Sequence, residues 1–220
     1  MTRAAAPANS LPVSAVRKGL GFLSWVGAVL IVIALVLKAF VFDVAEVGHN
    51  GMAPTLIRGE RVLIHKRAEP LLGSIAVCRH PTEDGWVVGR VAATQGMTID
   101  SSGGELRVDQ EPVAFDPKGT TSFYNADNDL TTTVIWGDEY LGPTPHRIFL
   151  GKNGRHSVRK TQVDSGKLYL LGDNRPYMGQ DSRAYGEVDA ATCRGTIVFR
   201  MTPVDGLDPQ LAHGYFEPIP

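Results

Sequence analysis

The sequence predicts a mainly β domain of coiled or closed antiparallel strands, preceded by one N-terminal transmembrane helix. Three features favour this fold class: an uncharged apolar run over residues 19–37, a series of short apolar runs after Leu56, and many turn residues, with 24 Gly and 14 Pro among 220 residues. Short strands separated by Gly, Pro and Asp turns are typical of antiparallel β domains. Composition alone does not distinguish this fold from an unrelated β sandwich.

The apolar run has the length of a membrane span. Residues 19–37 contain no charged side chain, and as a helix they would cover about 28 Å, close to the ~30 Å thickness of the hydrocarbon core. Arg17 and Lys18 lie just before the run, and positive residues favour the cytoplasmic side. We therefore expect a cytoplasmic segment at residues 1–16, an anchor at 17–42 and the rest of the chain outside the cytoplasm.

A cleaved signal peptide is the alternative interpretation of this run. The run is longer than the usual apolar core of about 7–15 residues. No small-x-small cleavage site follows it directly, since Ala39 and Ala45 stand among bulky residues. The sequence therefore favours an uncleaved anchor.

The region after the anchor is predicted to form one β domain over residues 43–203. Residues 116–146, rich in Thr, Asn, Asp and Gly, are predicted to be an inserted smaller subdomain, and the tail 204–220 lacks a pattern and is expected to be poorly ordered. Seven runs have the length and composition of strands: residues 61–65, 74–78, 86–92, 105–108, 147–150, 167–171 and 196–200.

Charge and cysteine content exclude several classes of function. The net charge is −1, which gives no basic surface for nucleic acid. The histidines show no spacing of metal ligands, so we expect neither a metal nor another cofactor. Cys78 and Cys193 are too far apart for a zinc or C-x-x-C motif. Outside the cytoplasm they are either a disulfide or two buried thiols, and the sequence leaves both open.

Five blocks in order carry a family resemblance. They are the apolar run leading into Phe-Val-Phe-Asp at 40–43, Gly-Met-Ala-Pro-Thr-Leu at 51–56, and residues 59–66, 89–96 and 171–175 with 181–186. This series resembles the bacterial type I signal peptidases, which are membrane-anchored Ser–Lys peptidases, and it covers roughly residues 20–200. The resemblance implies a signal-peptidase-like coiled β domain on the outer side of the bacterial inner membrane, in the periplasm.

The resemblance also locates the catalytic positions, and they are vacant. In this family a neutral, partly desolvated lysine takes the proton of the serine nucleophile, and hydrogen-bond donors hold the oxyanion. The position of the nucleophile is Gly51, that of the base is Gly89, and that of the residue assisting the oxyanion is His49. No lysine occurs between Lys66 and Lys118, so a shifted alignment does not supply the base.

A fourth departure lies in the last block. The loop 176–180 is one residue longer than in the family and lacks its serine. Four departures at one site predict that the active site is lost and that no catalytic residue is present.

Other parts of the pattern are kept. Gly51 retains its backbone N–H, and Met52, Pro54 and Thr55 match the family. The resemblance implies that these four residues contact an extended peptide, which strand addition would hold. Their retention fits residual binding or simple maintenance of the fold. The matching structural motif consists of Gly172, Asp173, Asn174, Arg175, Asp181, Ser182 and Arg183, in which we expect Asp181 to pair with Arg175 or Arg183.

The sequence is compatible with three functions. The first is a membrane-anchored pseudopeptidase that binds signal-peptide-like segments or an envelope partner without cleavage. The second is an active signal peptidase that uses unrecognised residues, and the third is a structural subunit of an envelope complex. We favour the first. The expected partners are the lipid bilayer, signal peptides or preproteins, and another membrane or envelope protein, but not nucleic acid.

Overall fold

The computed structural model describes residues 13–205 and 207–220. The chain forms two compact units, Met1–Val41 and Phe42–Pro220. In the first unit, the described residues form the helix α1 (Val13–Phe40). Residues 1–12 of the predicted cytoplasmic segment lie outside the described residues. Among the described residues, no helix is both long and apolar enough to cross a membrane.

The second unit is mainly β, as predicted. Its strands are β1 (Phe42–Glu46), β2 (Arg61–His65), β3 (Ile75–Arg79), β4 (Trp86–Thr94), β5 (Thr98–Asp100), β6 (Arg107–Val108), β7 (Glu111–Pro112), β8 (Phe115–Asn125), β9 (Leu130–Glu139), β10 (His146–Gly151), β11 (Thr161–Gln162), β12 (Lys167–Leu171), β13 (Val188–Asp189), β14 (Gly195–Thr202) and β15 (Glu217–Pro218). A single turn of α-helix, α2 (Ser182–Tyr185), precedes β13.

These strands form three antiparallel sheets. The largest has eight strands in the order β1-β2-β14-β3-β4-β12-β13, with β15 beside β14. The second has the order β10-β9-β8, and the third β11-β5-β6-β7. An isolated bridge between Phe149 and Asn174 connects the second sheet to the segment that follows β12. This bridge places the 173–175 segment between the two sheets.

The region predicted as an insertion, residues 116–146, forms most of β8 and β9. The sequence did not indicate these two strands, because their side chains are largely polar and many are exposed. Their threonines and aromatic residues fit a pleated surface even where no face is fully buried. The sheet that contains β8 and β9 belongs to the same compact unit as the largest sheet.

The expectation that the tail 204–220 is poorly ordered is wrong. Leu211 is 1% exposed and packs with Ala53, Ile57 and Phe149. Further along, β15 pairs with β14, and the N–H of Ile219 donates to the carbonyl of Val198 at 3.1 Å. Single apolar residues in separate contacts leave no periodic pattern, so this packing could not be predicted from the sequence.

The two cysteines form a disulfide, which decides between the two alternatives left open by the sequence. Cys78 in β3 is bonded to Cys193, which precedes β14. The bond joins neighbouring strands of the large sheet across a sequence separation of 115 residues. Such a bond is typical of proteins outside the reducing cytoplasm.

Candidate functional site

The candidate site centres on a short 3-10 turn, Asn50–Met52, which we call the Gly51 turn. The segment after β12 holds it from one side: the N–H of Asn174 donates to the carbonyl of Gly51 at 3.1 Å, and Asn174 Nδ2 donates to the carbonyl of Asn50 at 3.0 Å. A Cβ on Gly172 would collide with the Gly51 carbonyl oxygen. The Gly-Asp-Asn part of the motif therefore fixes the position of the turn.

The loop between β8 and β9 holds the Gly51 turn from a second side. The N–H of Asn50 donates to Asp127 Oδ2 at 2.6 Å, and Asn50 Nδ2 donates to Asn125 Oδ1 at 3.0 Å. Arg58 also pairs with Asp127, at 3.1 Å. The region of β8 and β9 thus contributes directly to the geometry of the candidate site, a role that the sequence did not indicate.

At Gly51, the position matched to the nucleophile, the space for a side chain is already filled. A Cβ there would lie 2.8 Å from Nδ1 and 2.9 Å from Cε1 of the His49 ring, and 3.3 Å from Cβ of Gln180. Gly51 is not among the glycines with positive φ, so its backbone angles do not demand glycine. The N–H of Gly51 donates to Nδ1 of His49 at 3.0 Å. The His49 ring therefore fills the space of a side chain at residue 51 and accepts the hydrogen bond of its backbone N–H.

At Gly89, the position matched to the base, the obstacle is a neighbouring strand. Gly89 lies buried in β4, and a Cβ on it would lie 2.8 Å from Cβ of Leu170 and 3.5 Å from the carbonyl oxygen of Leu171. Gly172, which follows Leu171 in the chain, is in contact with Gly51. The fold thus brings Gly51 and Gly89 to the same short segment, residues 170–172, and neither position has room for a side chain without a shift of its neighbours.

An apolar pocket lies beside the Gly51 turn. Its volume is about 240 Å³. The residues that line it are Ala45, Glu46, Val47, Gly48, His49, Met52, Val62, Ile64, Val77, Trp86, Val88, Arg194 and Ile197. Trp86, at the rim, is flanked by the guanidinium groups of Arg79 and Arg194, whose carbon atoms lie 4.4 and 4.7 Å from the ring centre.

Two strands beside this pocket have unpaired edges. In the described sheets, β1 pairs only with β2 and is therefore an edge strand. β4 pairs with β3 from Trp86 onward but with β12 only from Arg90 to Thr94. Residues 86–89 consequently present one edge that no described strand covers. Such edges are where an extended peptide adds to a sheet.

Of the four residues expected to contact a peptide, only Met52 lines this pocket. Pro54 and Thr55 line a separate, polar cavity of about 550 Å³, beside the C-terminal tail. The hydroxyl of Thr55 donates to Asp173. A contact between a peptide and Pro54 or Thr55 stays a prediction.

A buried group of charges, which we call the ionic frame, lies behind the turn. It consists of Arg90, Asp173, His146, Glu139 and Arg175. Arg90 Nε and Nη2 donate to the two carboxylate oxygens of Asp173 at 3.0 and 2.7 Å. Arg175 donates to both oxygens of Glu139, and His146 Nε2 lies 3.2 Å from Glu139 and 3.9 Å from Asp173. The frame therefore connects the motif segment with β4, β9 and β10.

The charges of the frame stabilise one another. Burial by itself would raise the pKa of Asp173, but the guanidinium of Arg90 holds that pKa below its usual range. In the same way, Arg175 and His146 outweigh the burial of Glu139 and lower its pKa. Burial and the positive charge of Arg175 lower the pKa of the adjacent His156 to about 4. The neutral His156 ring accepts a hydrogen bond from Arg175 Nη1 at 2.7 Å.

Within the rest of the structural motif, Asp181 pairs with Arg183, one of its two expected partners, at 2.6 Å. Asp181 also accepts from the N–H of Gly172 at 3.0 Å, and Ser182 Oγ accepts from the N–H of Leu170 at 2.9 Å. The other candidate, Arg175, pairs with Glu139 instead. Glu139 gave no signal in the sequence, because only the fold brings β9 to the motif segment.

A comparison with known families identifies the family of this chain. The family model described as signal peptidase, peptidase S26, matches residues 22–202. The chain belongs to the signal peptidase family. The matched range includes the Gly51 turn, Gly89 and the structural motif.

Two relatives within the signal peptidase family show the extent of the similarity. The chain is 25% identical over 188 residues to "Probable signal peptidase I-1" of Synechocystis sp., which covers 80% of this chain and 79% of the relative. It is also 25% identical over 185 residues to "Signal peptidase I" of Bacillus licheniformis, covering 81% of this chain and 88% of the relative. The similarity therefore extends over most of each protein.

Proposed function

We propose that this member of the signal peptidase family is a membrane-anchored pseudopeptidase, which binds extended signal-peptide-like segments without cleaving them. The observation that carries the proposal is the occupation of the Gly51 position by the ring of His49, beside an apolar pocket that remains open. Peptide hydrolysis by this family needs a nucleophile and a base. Glycine supplies neither at residue 51 or at residue 89.

Binding depends on different features, and these are present. The apolar walls of the pocket offer burial to small or apolar side chains, and the uncovered edges of β1 and of residues 86–89 offer backbone hydrogen bonds. A signal peptide fits these features: its side chains are apolar and it ends in small residues, and in an extended conformation its backbone can pair with the uncovered strand edges. The proposed ligand is therefore a signal-peptide segment of a preprotein in an extended conformation.

The proposed location is the bacterial inner membrane, with a cytoplasmic N-terminus and a periplasmic domain. Its support is the uncharged run 19–37, in which most of the large apolar side chains from Leu30 to Leu37 are exposed. A disulfide between Cys78 and Cys193 fits an oxidising compartment. The lipid bilayer is then one partner, and an envelope protein that delivers or receives the bound peptide is a second.

The test measures binding and cleavage in the same sample. A fluorescent signal-sequence peptide is titrated with the full-length chain in detergent and followed by anisotropy, and mass spectrometry then reports whether it is intact. We expect saturable binding of an uncut peptide. Val88→Asp, which places a charge in the pocket wall, should weaken binding at least tenfold, whereas Leu71→Asp, at a position 63% exposed and away from the pocket, should not.

Two results would contradict this proposal. Cleaved peptide would favour an active signal peptidase that uses other residues. No binding to a chain that is folded by circular dichroism would favour a structural subunit.

Restoring peptidase activity should require more than the two missing side chains. In Gly51→Ser the new Cβ meets the His49 ring, and in Gly89→Lys it meets Cβ of Leu170. We therefore expect Gly51→Ser with Gly89→Lys to remain inactive while His49 is present. Any turnover by that double variant would show that the site is less crowded than the distances indicate.

A further inference from the structure

His49 lies where the apolar pocket meets the Gly51 turn. Its ring is one wall of the pocket, and its Nδ1 accepts the hydrogen bond of the Gly51 N–H at 3.0 Å. The ring fits there only because residue 51 lacks a Cβ, which would stand 2.8 Å from Nδ1. One side chain thus joins the two parts of the candidate site.

The Gly51 N–H needs a partner in every state of the molecule. Gly51 is buried, and a buried donor without an acceptor costs about 1–3 kcal/mol. In the chain without a ligand, the acceptor is His49 Nδ1. A carbonyl oxygen of an extended peptide can accept the same bond, but only after the ring leaves.

We propose that His49 is an internal gate of the peptide site, whose ring caps the Gly51 N–H in the empty protein and is displaced when a peptide carbonyl takes that N–H. This inference rests on the proposed function, since it describes how the same site is regulated. Binding of a peptide then exchanges one acceptor for another and opens the pocket wall at His49. The vacant residue 51 is thereby part of a self-closing site.

The gate should respond to pH, because only the neutral ring can accept a hydrogen bond at Nδ1. Burial lowers the pKa of His49, and the negative charge of Asp127 opposes this effect. Glu46 and Arg194 are the other charged groups that line the same pocket, and Asp127 is itself paired with Arg58. A ring displaced into solvent regains a pKa near ~6.5. Displacement therefore takes up a proton, and low pH favours the open gate.

The test uses the full-length chain and an N-acetylated, C-amidated signal-sequence peptide without titratable side chains. For the unaltered chain, the affinity should rise by up to about tenfold between pH 7.5 and 5.5, the limit set by a group with a displaced pKa near 6.5. In His49→Ala the peptide should bind more tightly at pH 7.5 and with no pH dependence over this range. His49→Asn keeps an acceptor two residues before Gly51 and removes the titration, so its affinity should also be independent of pH.

His80→Ala is the matched control. His80 Nδ1 also accepts backbone hydrogen bonds, from the N–H of Glu83 at 3.0 Å, but it does not line the pocket. This variant should keep the affinity and the pH dependence of the unaltered chain. A second readout is the amide resonance of Gly51, which should shift both on addition of peptide and in His49→Ala.

The failures are distinguishable. If the unaltered chain and His49→Ala bind the peptide equally tightly with the same pH dependence, the gate is wrong while the proposed function stands. If none of the variants binds the peptide, including His49→Ala, the proposed function itself is contradicted.

Discussion

The ionic frame and the Gly51 turn are joined through residues 172–174, yet they differ in how their groups are satisfied. In the frame, each carboxylate faces an arginine, and the side chains of Arg90 and Asp173 are completely buried. In the turn, residue 51 has no side chain, and its N–H is capped by a ring from its own chain. The frame holds its segments through paired charges, whereas the turn is held by backbone hydrogen bonds around a residue that has no side chain.

This difference explains how the family pattern is kept around a glycine at residue 51. Asp173 pairs with Arg90 inside the protein, and Asn174 donates to the carbonyls of Asn50 and Gly51. These contacts orient the backbone of the turn whether or not residue 51 carries a hydroxyl. The contacts that hold the turn therefore do not depend on a side chain at residue 51.

The largest effect should come from breaking the frame. Asp173→Ala leaves the guanidinium of Arg90 buried without a counter-charge, which should lower the free energy of unfolding by about 3–5 kcal/mol. The measurement is urea unfolding of the full-length chain in detergent. Asp116→Ala, which removes an exposed pair with Lys118, should change the free energy by less than about 1 kcal/mol. Equal effects of the two variants would mean that the frame does not hold the fold.

Crowding at Gly89 should give the next largest effect. Gly89→Ala places a Cβ 2.8 Å from Cβ of Leu170, and overpacking of this kind costs about 1–3 kcal/mol. Gly151→Ala is the control, since its Cβ would make only an ordinary contact at 3.5 Å with Asn153. A Gly89→Ala protein as stable as the unaltered chain would show that this position has room for a base.

Acid should lower the stability of the fold through His156, beside the ionic frame, before the carboxylates of the frame titrate. Because the folded pKa of His156 is lowered to about 4, the unfolded chain binds more protons than the folded one between pH 4 and about 6.5. Stability should therefore fall with falling pH, by about 2 kcal/mol between pH 7 and 5. His156→Gln, which keeps an acceptor for Arg175, should flatten this slope. An unaltered slope in that variant would assign the acid sensitivity to other groups.

The smallest expected change in stability, about 1 kcal/mol, concerns the turn. Gly51→Ala should displace the His49 ring, because the new Cβ would lie 2.8 Å from Nδ1. With the ring in solvent, the pKa of His49 should return to near ~6.5, which an NMR titration of the ring would show. Gly48→Ala has open space around its Cβ and should leave the His49 titration unchanged. A lowered His49 pKa in Gly51→Ala would mean that the ring stays in place.

Much of the fold was predictable, and particular strands show why. The bounds of β2 and β12 agree with the prediction to the residue, because each is a short apolar run between turns. β8 and β9 were missed because their polar, Thr-rich sequence resembles a loop. The packed tail was missed because Leu211 is a single buried residue without a periodic neighbour.

The candidate site divides in the same way. Within the family pattern, the sequence indicated the positions of Gly51 and Gly89, and it left Arg175 and Arg183 as alternative partners of Asp181, of which the structure has Arg183. It did not indicate that the His49 ring covers Gly51 or that Leu170 closes the space at Gly89. The first depends on the direction in which the His49 ring points within its own turn, and the second on the packing of β4 against β12, which are far apart in the sequence. Glu139 was missed for the same reason, since β9 reaches Arg175 only through the tertiary fold.

Incubation of the unaltered full-length chain with a labelled preprotein distinguishes binding from cleavage at the Gly51 turn. After separation of the complex from free preprotein, gel analysis reports the length of the bound and the free chains. We expect the preprotein to be retained at full length at every time point. Accumulation of mature protein at a rate that rises with the concentration of the chain would contradict the proposed binding without cleavage.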